Sequence, residues 1–249
     1  MSIIEILLFG LVIIIAHFLE AITGFGCTVL ALPFCIAITG VKITVPVLTV
    51  IGWLLALYII IIDWKSIIFK EYLKILGFVI LGLPIGMRIF DVLPETPLKI
   101  LLGIFMLIVS IRGLIISFMP EKDNVSPNHG SKVGKWLLNF CLFCGGVIHG
   151  AFSSGGPFII IYATKALPNK SNFRVTLSAL WITLNSVVII KNFMIGIMTK
   201  EVINLTIWMI PFLIVGMVLG NMAHKRIDGS SFNKIVYGAL LISGIFMFV

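Results

Sequence analysis

Polar residues are so sparse along this chain that they cut it into apolar blocks instead of giving each block two faces. Ten hydrophobic segments can be read, near residues 3–20, 25–39, 43–62, 72–90, 97–118, 135–150, 156–166, 174–196, 202–223 and 232–249. A helix rises about 1.5 Å per residue and a hydrocarbon core is about 30 Å thick, so most of these blocks are long enough to cross a bilayer. The second and seventh are short and would reach only roughly 22 Å and 15 Å. The pattern therefore predicts an all-α integral membrane protein with about ten hydrophobic segments, eight to ten of them spans. The run from Ile3 to Leu19 carries Glu5, has no basic region before it and no small-residue cleavage site after it. It reads as a retained span, not as a signal peptide.

The blocks repeat. "GLPIG" at Gly82–Gly86 matches "GMVLG" at Gly216–Gly220, and "KILLGIFMLIVSI" from Lys99 matches "KIVYGALLISGIF" from Lys234. "KIT" at Lys42 matches "RVT" at Arg174, and the polar break at Thr23–Gly26 faces one at Ser154–Pro157. The four offsets (216 − 82, 234 − 99, 174 − 42 and 154 − 23) run from 131 to 135. Residues 1–119 then form a first membrane repeat, 120–134 a cytoplasmic connector and 135–249 a second membrane repeat. Five segments is an odd number, so the second half starts from the opposite side of the membrane, an inverted repeat. The glycine pairs read as small-xxx-small packing motifs.

Composition agrees with this. The chain is 60% hydrophobic and 11% charged, against about 25% charged in soluble domains. A net charge of +8 in a soluble protein would suggest nucleic acid; here it is read as loop charge, with no nucleic-acid partner. Twelve lysines and arginines fall in one alternating set of loops, including Lys65, Lys70, Lys122 and Lys225. Five fall in the other: Lys42, Arg88, Lys99, Lys191 and Lys200. The richer set is expected on the cytoplasmic side. Both termini would then lie outside the cytoplasm, in a multi-pass protein of the plasma (inner) membrane.

The chemistry lies in the two breaks. In "HGAFSSGGPFIII" (His149–Ile161), serines, glycines and a proline interrupt the oil. Irregular backbone at membrane depth is tolerated where it lines a wet cavity, and a helix starting there turns unpaired N–H groups toward an anion. Ser153 or Ser154 is expected to cap that helix, with Pro157 in its first turn and Gly155 and Gly156 admitting a ligand to the backbone. Thr23, Gly24 and Gly26 are expected to play the same parts in the first half. Asn185 lies midway along its segment, should face inward, and joins the substrate-binding set. Glu20, His17 and His149 are the ionisable residues near the breaks and the candidates for proton coupling. Cys141 and Cys144 read as structural thiols on one helix face. No Walker loop, metal-ligand cluster or catalytic dyad is visible, so no cofactor, no metal and no enzymatic activity are expected.

On these breaks, on "KITVPVLTVIG" (Lys42–Gly52) with "RVTLSALWITLNS" (Arg174–Ser186), and on the closing glycine pattern of each half, the sequence resembles the sulfite exporter TauE/SafE family, also called the toluene-sulfonate uptake permease family. Phe25 stands between the glycines of the first break, where that family carries a denser glycine cluster. The resemblance implies a secondary transporter of small sulfur-containing anions such as sulfite or sulfonates. The residues alone leave two alternatives, a passive anion channel and a membrane thiol or serine enzyme. They do not fix the anion, the direction, the coupling ion or the oligomeric state.

Overall fold

The structure is a computed structural model that describes residues 2–23, 27–118, 132–167 and 169–223, together with 237–238, 241–242, 244–245 and 247–248. Among the described residues every element is helical: α1 (Ile3–Thr23), α2 (Cys27–Thr39), α3 (Val41–Asp63), α4 (Phe69–Val92), α5 (Glu95–Phe118), α6 (Lys132–Phe152), α7 (Gly156–Ala166), α8 (Lys170–Met194) and α9 (Lys200–Ala223), with a 3₁₀ turn at Trp64–Ser66. Leu-, Ile- and Val-rich runs take this form because a helix satisfies its backbone hydrogen bonds within itself. Six of these helices are long and apolar enough to cross a membrane: α1, α3, α4, α5, α8 and α9. α2 is short and apolar, and α7 has 11 residues. The expected tenth segment and the connector lie mostly outside the described residues. Gly40, at φ +77°, makes the turn that lets α3 follow α2 directly, a conformation that favours glycine.

The outward surfaces are apolar. On α1, Leu7, Leu11 and Ile15 are exposed; on α9, Ile207, Ile214 and Val218 are. A soluble helix would set charges there, so these faces are made for lipid.

Backbone contact at glycines fixes the main crossings. α4 packs on α6, and α1 on α9. A Cβ on Gly82 or Gly86 of α4 would lie 2.3 or 1.9 Å from the carbonyl oxygen of Phe143 or Val147. Gly146 and Gly150 of α6 meet the Val79 and Leu83 carbonyls in return, at 2.0 and 2.2 Å. Across the molecule, Gly216 and Gly220 of α9 meet the Ile14 and Phe18 carbonyls of α1, at 2.6 and 2.5 Å. Here the glycines do what small-xxx-small spacing predicts.

α3 and α8 cross at the centre. Trp53 Nε1 donates to Ser186 Oγ at 2.9 Å between them. α2 lies on α1 and α3, and α7 lies on α6. Their contacts define two ends of the bundle. At one end Lys191 pairs with Asp91, Lys42 donates to the Phe90 carbonyl, and the Val41 N–H donates to Glu95. At the other, Ser171 donates to Asp63, Arg174 donates to Asn221 at 3.1 Å, and Tyr162 donates to Glu71 at 2.5 Å. α1 and α2 form a hairpin whose open end lies at the Asp91 end, and α6 and α7 form one whose open end lies at the Asp63 end.

Candidate functional site

Glu20 and Thr28, on either side of the first break, and the turn between α6 and α7 meet α3 and α8 inside the bundle. Between them lies a cavity of about 30 Å³ lined by Glu20, Thr28, Val29, Gly52, His149, Ser153, Ser154, Gly156, Trp181 and Asn185. One water needs about 10–15 Å³ on this measure, so the site is closed down to roughly two waters. No lysine or arginine is among the described residues of its walls.

The α6–α7 break builds most of it. α6 ends as the Ser153 N–H closes on the His149 carbonyl at 2.7 Å. Ser153 then takes φ +51°, the one non-glycine residue with positive φ among the described residues. Such a conformation costs about 1–3 kcal/mol and persists where its surroundings hold it. Thr49 of α3 supplies part of that hold, its Oγ1 lying 2.6 Å from Ser153 Oγ.

His149 is 2% exposed and stacks on Trp181 with ring centroids 5.4 Å apart and planes 9° from parallel. Its Nε2 donates to Asn185 Oδ1 at 2.9 Å, so in the neutral ring Nδ1 keeps a lone pair. That Nδ1 and the hydroxyl of Ser154 are buried and have no partner. Buried polar atoms are normally hydrogen-bonded, so two unpartnered ones on residues lining one cavity mark a place for a polar guest.

Of the residues expected from sequence, Glu20, His149, Ser153, Ser154, Gly156 and Asn185 meet at this cavity. Thr23 is the last residue of α1, while Gly24 and Gly26 lie outside the described residues. His17 is fully buried one turn before Glu20, with Nδ1 2.9 Å from the Ile13 carbonyl, and is not among the cavity walls. Two local expectations need correction. The N-cap of α7 is Gly155, with no side-chain cap bond, so neither Ser153 nor Ser154 caps the helix; Pro157 does sit in its first turn. Gly155 also does not face the cavity: a Cβ there would lie 2.1 Å from the Gly145 carbonyl oxygen of α6. It is the contact that lets the hairpin close, and Gly156 is the glycine that lines the site.

Four wall residues, Thr28, Val29, Gly52 and Trp181, were not singled out from sequence, nor was Thr49 behind Ser153. A signal existed for two of them. The offset that aligns Lys42 with Arg174 (174 − 42) also aligns Thr49 with Trp181 (181 − 49), 132 in both cases. Cys35 is buried and Cys141 and Cys144 are half-buried; all three are free thiols, and none lines the cavity. Among the described residues no three His, Cys, Asp or Glu side chains group as metal ligands.

No curated protein and no solved structure matches the chain. Residues 8–247, nearly all of it, match the family model described as Sulfite exporter TauE/SafE, so the chain, with its long apolar helices, belongs to that family of membrane transporters.

Proposed function

We propose that this protein is a secondary transporter of a small sulfur oxyanion, sulfite or a sulfonate, bound in the central cavity between the two breaks. One observation carries the reading: the unpartnered His149 Nδ1 and Ser154 Oγ are on residues that line one small cavity at the start of α7. The N-terminus of α7 adds a partial positive charge, and the Asn185 amide and the Thr28 hydroxyl supply further polar groups. With no lysine or arginine among the described residues of the walls, the site would hold an anion without a full ion pair, whose rupture costs about 3–5 kcal/mol when buried. That suits a carrier, which must release its cargo.

The same geometry supports a reading in which transport is coupled to protons. An oxyanion brought to neutral His149 meets a lone pair. Protonation turns Nδ1 into a donor and adds a positive charge, so proton and anion favour each other. Glu20 is the other titratable group of the cavity. On this reading the anion binds more tightly as pH falls, and Glu20→Gln loses uphill transport while keeping anion binding.

The repeat supports alternating access. The carbonyls met by Gly82 and Gly86 belong to Phe143 and Val147; those met by Gly216 and Gly220 belong to Ile14 and Phe18. The glycines are offset by 134 (216 − 82, 220 − 86) and the carbonyls by 129 (143 − 14, 147 − 18). The two crossings thus use the same turn of helix in each half, as inverted repeats would, and 129 also relates Glu20 to His149. Rocking of one half against the other would open the site to each side in turn.

The test compares sulfite binding to purified Gly156→Leu and Ser154→Ala. A Cβ on Gly156 meets Trp181 at an ordinary 3.8 Å, so the larger side chain projects into the cavity without forcing backbones apart. Gly156→Leu should abolish binding, and Ser154→Ala should weaken it about tenfold, the effect of one hydrogen bond to a charged group. Normal sulfite binding by folded Gly156→Leu would remove the cavity as the site.

A further inference from the structure

A second cavity, of about 310 Å³, opens near the Asp63 end between α4, α6 and α7, lined by Glu71, Lys74, Gly134, Leu138, Asn139, Tyr162, Lys165 and Ala166. It is separate from the central site in all its lining residues. We infer that this cavity binds the phosphodiester headgroup of an anionic phospholipid, with Lys74 and Lys165 as the charge partners and Asn139 as a polar contact.

Charge is the first argument. The one carboxylate of the cavity, Glu71, is engaged by the Tyr162 hydroxyl at 2.5 Å. Lys74 Nζ sits over the Tyr162 ring, 4.7 Å from its centroid, a contact that holds an ammonium without neutralising it. Neither Lys74 nor Lys165 has a carboxylate within ion-pair distance among the described residues. The pocket thus holds two ammonium groups against one committed carboxylate and is complementary to an anion.

Depth is the second. Gly134, Leu138 and Asn139 bracket Trp136, which is 66% exposed and stacks on the exposed Phe140. Exposed tryptophan on a membrane protein marks the headgroup level. Leu138, Ala166 and the Tyr162 ring give the cavity an apolar wall suited to the glycerol end of a lipid more than to a bare inorganic ion. Lysines in this setting attract anionic lipid.

The experiment is native mass spectrometry of the purified full chain with phosphatidylglycerol, and with phosphatidylcholine in parallel. One phosphatidylglycerol should be retained per chain and phosphatidylcholine should not. Lys74→Ala with Lys165→Ala should weaken retention roughly 30-fold, about fivefold per lysine near the surface, and Lys→Arg at both should restore it. Lys65→Ala with Lys70→Ala, on the same end but outside the cavity, should leave retention unchanged. Equal loss in that control pair would reduce the effect to general surface charge and overturn the site. Retention unaffected by loss of Lys74 and Lys165 would overturn it too. Displacement of the lipid by soluble glycerol phosphate at comparable concentration would reassign the cavity to a free anion. Sulfite binding at the central site is measured independently, so either reading can fail alone.

Discussion

His149 shows how few atoms separate a structural residue from a working one here. Its Nε2 is tied to Asn185 and its ring to Trp181, which leaves Nδ1 as the variable atom. Asn185→Leu should cost about 1–3 kcal/mol, because it strands a buried Nε2–H, and should also weaken sulfite binding by letting the ring turn. A thermal shift together with an affinity measurement separates the two effects. In Asn185→Asp the carboxylate still accepts from Nε2, so the ring should stay in place and affinity should recover toward that of the unaltered protein. Affinity as low as in Asn185→Leu would show that the hold on the ring is not what the guest needs. Gly155 teaches the complementary lesson. A bulky residue there is expected to unfold the hairpin, with the Gly145 carbonyl 2.1 Å from any Cβ, so lost binding in such a variant says nothing about the site.

Among the helices, the glycines sort by what they touch. Gly86 and Gly146 let the backbones of α4 and α6 meet. Gly86→Ala must force these helices apart and should lower the melting temperature in detergent, at a cost of about 1–3 kcal/mol for overpacking. Gly77, on the same α4, has nothing within 4 Å of a built Cβ. There Gly→Ala should be neutral or stabilising by up to about 1 kcal/mol, since alanine is the better helix former. A melting curve for each variant checks the pair, and equal destabilisation by both would mean that propensity, not contact, governs α4. The short helices owe their placement to their neighbours. α7, at 11 residues, cannot cross a bilayer, and it is held by α6 through Gly145 and Gly155.

For the whole molecule, the contacts give relative topology and the loop charges give orientation. α1 runs parallel to α9: Gly10 lies against Phe212 and Gly220 against Phe18. α9 starts just after α8 leaves the Asp91 end, so the N-terminal end of α1 lies there as well. Tyr237 lies against Gly113, and Phe248 against Gly103. The C-terminal residues therefore run antiparallel to α5 and finish at the same end. If the lysine-rich Asp63 end is cytoplasmic, both termini lie outside. A fluorescent fusion that matures only in the cytoplasm should then stay dark at the C-terminus, and a bright fusion would invert the proposed orientation. The Lys191–Asp91 pair joins α8 to α4 at the Asp91 end. Asp91→Ala should therefore alter transport rate more than sulfite affinity, because the pair lies outside the central cavity; an affinity change alone would contradict that role.

The sequence by itself determined the solvent and the parts. Apolar runs of bilayer length can end only as helices in lipid, and a break in such a run must be buried or wetted, so the helices and the second break were legible, and Ser154, His149 and Asn185 could be singled out as candidates. The constant offset between the halves was visible as well, because an offset needs no contact to be seen. Only the tertiary structure decided which way each small residue faces. Gly155 and Gly156 are neighbours with the same chemistry, yet one meets the α6 backbone and the other the cavity, a difference set by helix rotation that no local pattern encodes. Thr49 and Trp181 matter because α3 and α8 cross beside the break. Such a crossing joins positions more than a hundred residues apart, and only packing brings them together.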